Sequence, residues 1–78
     1  MKTINELDPV ALTCDLPEHR LKRGDVGTAV LVHGGGKAFE VEFVSYDGHT
    51  FALLTLNRSQ LRPLETFDIP HVRELSPA

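Results

Sequence analysis

Seventy-eight residues, 41% apolar and 24% charged, bound the chain to one domain with one small core. A net charge of −3 argues against a general nucleic-acid binder, which carries a basic excess. Cys14 is the single cysteine, which excludes an intramolecular disulfide, and no apolar run is long enough to cross a bilayer.

The first eight residues lack the apolar stretch of a signal peptide, so a cytoplasmic location is expected. Val10 to Cys14 reads as a first short strand, ended by Asp15-Leu16-Pro17, because the residue before proline prefers extended or turn geometry. Asp15 to Gly24 is a long polar loop with Leu16 and Leu21 as inward anchors. Lys22-Arg23-Gly24-Asp25-Val26-Gly27 is a turn that opens a second strand, Val26 to Val32. Gly24 and Gly27 supply backbone angles closed to other residues, and Asp25 bonds its own turn.

His33-Gly34-Gly35-Gly36-Lys37 is a glycine-rich hairpin; it lacks the strand-to-helix setting and following Ser or Thr of a phosphate loop. Phe39 to Val44 alternates cleanly, with Phe39, Val41 and Phe43 on one face and Glu40 and Glu42 on the other. Asp47-Gly48 turns the chain into a fourth strand, Thr50 to Leu56. Asn57 caps a one-turn 3-10 helix through Gln60, and Leu61 to Leu64 forms a last strand whose Pro63 suits an edge.

These elements describe an all-β fold: a small five-stranded SH3-like barrel with a long first loop, a one-turn 3-10 helix before the last strand, and a C-terminal extension. Residues 1–64 are the barrel and 65–78 the extension. The expected core is Leu12, Val26, Val30, Val41, Phe43, Leu54 and Leu61. Strands two and four carry apolar residues on both faces, so their outward face needs a cover. The N-terminal segment with Ile4 and Leu7 is one candidate. The tail is the other, docked in cis or across a homodimer, with Phe51, Leu53, Phe67, Ile69, Val72 and Leu75 as the candidate protein interface.

The side chains that could carry chemistry read as structural. His19, His33, His49 and His71 show no metal-ligand spacing, so no metal is expected. Cys14 near His19 lacks an orienting third group and reads as a small core residue. No catalytic residue and no cofactor is expected. Lys22, Arg23, Arg58 and Arg62 form a candidate basic patch for RNA or DNA, but nucleic acid is disfavoured because Tyr46 alone has a wet aromatic edge for stacking. The several Tyr and Trp side chains of peptide-binding SH3 domains are missing.

Read together, Asp15-Leu16-Pro17-Glu18-His19, Lys22 to Thr28, Glu40 to Val44, Ala52 to Leu56 and Gln60 to Leu64 resemble a widespread bacterial family of small uncharacterised proteins. It is a domain of unknown function common in cyanobacteria, and the resemblance runs from Ile4 to Leu64. It implies an SH3-like barrel and a bacterial origin. Some relatives sit beside a second small gene, which implies a toxin–antitoxin-like pair. The family has no established catalytic residue to carry over. Arg20 stands where relatives often have glycine, and the tail after Leu64 is longer than usual. The expected function is a non-catalytic protein-interaction module with a partner from a neighbouring gene. RNA or DNA binding and an accessory role in an enzyme complex are the alternatives.

Overall fold

The computed structural model describes residues 2–75. Its five strands are β1 (Pro9–Leu12), β2 (Val26–His33), β3 (Ala38–Val44), β4 (Thr50–Asn57) and β5 (Leu61–Pro63). They form one antiparallel sheet in the order β4-β3-β2-β1-β5. The helical elements among the described residues are two 3-10 turns, Pro17–His19 and Arg58–Gln60. None is long and apolar enough to cross a membrane.

β3 supplies the centre of the core, with Phe39, Val41 and Phe43 buried and Glu40 and Glu42 turned outward. β1 lies between β2 and β5, so Val10, Ala11 and Leu12 are all buried. It ends two residues before Cys14, because Thr13 leaves the ladder to bond the 3-10 turn: its N–H donates to Gln60 O at 2.9 Å and its hydroxyl to Ser59 O at 2.7 Å. The first loop closes on itself through a Leu16–Leu21 bridge, and both leucines are buried as expected. Ile4 joins the same core, whereas Leu7 is exposed.

The expected core needs correction on β2. Val26 and Val30 are only half-buried, and the inward positions are Gly27 and Ala29, then Val32. A register shift between Ala29 and Leu31 inserts Val30 as an extra residue. Such a bulge reverses which parity faces inward, so one period-2 reading cannot hold along the whole strand. Leu54 is likewise half-buried, packed against the core beside the buried Leu56.

Gly24 and Gly27 are glycines for different reasons. Gly24 has φ +93°, which an L side chain rarely adopts. Gly27 has no positive φ; it is buried, and a Cβ there would lie 2.8 Å from Glu42 O and 2.9 Å from Val41 Cγ1 and Phe43 Cε1. Space, not backbone angle, requires glycine at Gly27.

The chain passes from β4 to β5 through the second 3-10 turn. Asn57 caps it reciprocally: the Asn57 side chain accepts from Gln60 N–H at 3.2 Å, and Gln60 Oε1 accepts from Asn57 N–H at 2.9 Å. This is a capping box at the expected residue.

Candidate interaction groove

An open groove of about 480 Å³ lies between the first loop, the β3–β4 hairpin and the C-terminal tail. Leu21, Val26, Phe43, Val44, Tyr46 and Phe51 give it an apolar wall, and residues 70–73 with Leu75 form the opposite side. Tyr46 is fully exposed and Val44 is 56% exposed, so the groove presents apolar surface to solvent rather than a sealed cavity. The left-handed backbone of Arg20, φ +57°, is the conformation glycine adopts without strain. Its guanidinium carbon stands 5.3 Å from the centroid of the Phe51 ring.

The tail is held by two ion pairs. Near its start, Arg62 on β5 binds Asp68 through Nη1 at 2.7 Å and Nη2 at 3.1 Å, while Asp68 accepts from Glu65 N–H at 2.6 Å. Arg62 and Asp68 draw each other away from their ordinary pKa values, up and down respectively, chiefly through this hydrogen-bonded contact. Farther on, Arg73 crosses to the turn that opens β2. It donates to Asp25 from Nε at 3.1 Å and Nη2 at 2.5 Å, and from Nη2 to Arg20 O at 3.2 Å. Asp25 also accepts from Lys22 N–H at 2.8 Å. Burial pushes the Asp25 carboxyl up, but the Arg73 and Lys22 contacts outweigh it and hold the group below its ordinary value.

This arrangement was only partly legible in the residues. Of the six candidate interface residues, Phe51 lines the groove wall and Leu75 lies half-buried on the tail side. Leu53 is exposed on the middle of β4. Phe67, Ile69 and Val72 are 95%, 89% and 91% exposed, so charged residues rather than these apolar ones fasten the tail in this structure. Neither Asp25 nor Arg73 stood out as a tail contact, since 48 residues separate them and no local pattern links them.

The four basic candidates do not share one hollow. Lys22 lines a small depression with Asp15, Pro17 and Arg73, next to Arg23 in the same loop. Arg58 lines a separate one with Ile4 and Gly36, and donates to the carbonyls of Leu61 and Lys2 at 2.8 and 3.0 Å. Arg62 is engaged by Asp68. Two of the histidines have carboxylate partners: His33 contacts Glu40 and His49 contacts Asp47, each at 2.9 Å. His71 lines the groove and His19 ends the first 3-10 turn. Cys14 packs half-buried against the core. Among the described residues, no three His, Cys, Asp or Glu side chains are grouped to hold a metal ion.

One family, described as a domain of unknown function (DUF4926), matches residues 6–63. No curated protein and no solved structure matches the chain.

Proposed function

This chain belongs to the DUF4926 family, and we propose that it is a non-catalytic protein-interaction module built on an SH3-like barrel. The observation that carries this reading is the solvent-open apolar groove beside Tyr46, Val44 and Phe51. Apolar and aromatic surface of this kind suits a protein segment, with Asp25 and Arg73 as the polar groups at its rim. The negative net charge and the engagement of Arg62 by Asp68 favour a protein over a nucleic-acid backbone. Residues 2–64 act as the barrel, and residues 65–75 of the extension as a strap along one side of the groove. A bacterial, cytoplasmic setting and a partner encoded by a neighbouring gene, as in a toxin–antitoxin-like pair, belong to the same proposal.

The test is capture of the partner by the full chain, with and without nuclease and at high salt, followed by the exposed groove variants Tyr46→Ala and Val44→Lys. A protein partner should survive nuclease, and each variant should weaken it by about tenfold or more. Nucleic acid captured in its place, lost in salt and on substitution of Lys22 and Arg23, would overturn the reading.

A further inference from the structure

We propose that the turn around Asp25 is a guanidinium-recognition site, that Arg73 of the chain's own tail fills it as a built-in competitor, and that a protein partner enters the groove by placing an arginine of its own there. The inference rests on the reading of the groove as a protein-binding surface, and it names the side chain that the partner must bring.

The receiving half of the contact is fixed by the barrel. Asp25 N–H donates to Lys22 O at 2.9 Å, and Asp25 O accepts from Leu12 N–H at 2.9 Å, which ties the residue to its turn and to β1. Lys22 N–H donates to Asp25 Oδ2 at 2.8 Å and so orients the carboxylate. The loop is pinned again at Arg20, whose N–H donates to Pro17 O at 3.0 Å. None of these bonds involves the tail, so the acceptors stand in place before a ligand arrives.

Their geometry selects a planar fork. Arg73 Nε reaches Asp25 Oδ1 at 3.1 Å, while Nη2 reaches Asp25 Oδ2 at 2.5 Å and Arg20 O at 3.2 Å. A lysine offers all its donors from one nitrogen and does not reproduce this two-pronged contact. Bulk charge is not what recruits the ligand, because Asp15, Glu18 and Asp25 offset Arg20, Lys22 and Arg23 within the same loop.

The occupying half is held far less. Among the described residues, no backbone hydrogen bond or strand pairing joins residues 69–75 to the barrel. The tail sets its arginine in the site yet leaves Ile69 and Val72 exposed to water. The groove of about 480 Å³ beside Val44, Tyr46 and Phe51 therefore stays open while Arg73 is docked. A ligand tethered to its own site competes at an effective concentration of order millimolar, so a displacing segment must make better contacts than the tail does. A segment that joins an arginine to apolar side chains does so, because it fills the groove as well as the Asp25 site.

The experiment uses the full chain and no natural partner. The probe is the peptide Phe-Asp-Ile-Pro-His-Val-Arg-Glu-Leu, a copy of residues 67–75, titrated in and followed by amide NMR shifts. Arg73→Gln vacates the site, so this variant should bind the peptide about tenfold or more tightly than the wild type, with shifts at Lys22 to Asp25. Adding Asp25→Asn keeps an oxygen for Lys22 N–H but removes the charge, and should abolish that binding with the circular dichroism unchanged. Lysine in place of the peptide's arginine should weaken binding severalfold. Equal affinity for the wild type and Arg73→Gln, binding to neither, or binding indifferent to Asp25→Asn or to lysine would each overturn the proposal. A wild-type dimer in sedimentation that Arg73→Gln dissolves would overturn it too, by assigning Arg73 to the Asp25 of a second copy. A captured natural partner that keeps its affinity on Asp25→Asn would overturn this inference alone and leave the groove's role in protein binding standing.

Discussion

Replacing Gly27 by alanine should destabilise the domain, although alanine ordinarily stabilises a strand relative to glycine. The added Cβ would sit 2.8 Å from Glu42 O and 2.9 Å from both Val41 Cγ1 and Phe43 Cε1. Carbon–carbon contacts are optimal at about 3.5–4.0 Å, so two of these are short by at least about half an ångström. None of the neighbours can yield cheaply. Glu42 pairs with Thr28 in the β2–β3 ladder, and Val41 and Phe43 are 0% and 4% exposed at the centre of the core. Overpacking of this kind costs about 1–3 kcal/mol, against about 0.4–1 kcal/mol gained by restricting the unfolded chain. At the midpoints of these ranges the net loss is about 1.3 kcal/mol, which should lower Tm by roughly 5–10 °C in a domain of this length, read by thermal circular dichroism or calorimetry. Gly24 provides the contrast, because its φ is +93° and a Cβ added there would meet nothing within 4 Å. Gly24→Asn should therefore lose less than Gly24→Ala, since asparagine tolerates positive φ, whereas Gly27→Asn should lose more than Gly27→Ala. An unchanged or raised Tm for Gly27→Ala would refute the steric account.

Two further outcomes test other contacts. Asn57→Ala removes the acceptor side of the capping box and should cost about 1 kcal/mol, a Tm loss of several degrees measurable by the same melts. The Asp25 carboxyl titrates below its ordinary value of 3.8 in the folded chain, so the Arg73 contact stabilises the protein above that pH and is lost as pH falls through the lower folded value. A carboxyl-detected NMR titration should place the Asp25 midpoint below 3.8 and shift it upward in Arg73→Ala; a midpoint that does not move would refute the Arg73–Asp25 contact as its cause.

The strands, their turns and the cap could be read from residue order alone. β3 was legible because Phe39, Val41 and Phe43 alternate with Glu40 and Glu42, and Asn57 because a cap is a bond across three residues. Leu16 and Leu21 were legible as anchors of one short loop. All of these rest on contacts between near neighbours in the chain, where residue type and spacing carry the physics. The inward face of β2 emerges only in the assembled sheet, because the bulge at Val30 arises from pairing with β3 and reverses the side-chain parity. The same holds for Gly27, whose alanine is excluded by atoms of Val41, Glu42 and Phe43 on the neighbouring strand. It holds again for the tail, which follows the charges of Arg62 and Asp25 rather than its own apolar residues. An ion pair spanning 48 residues forms only once the sheet has brought its two ends together, so no local pattern announces it.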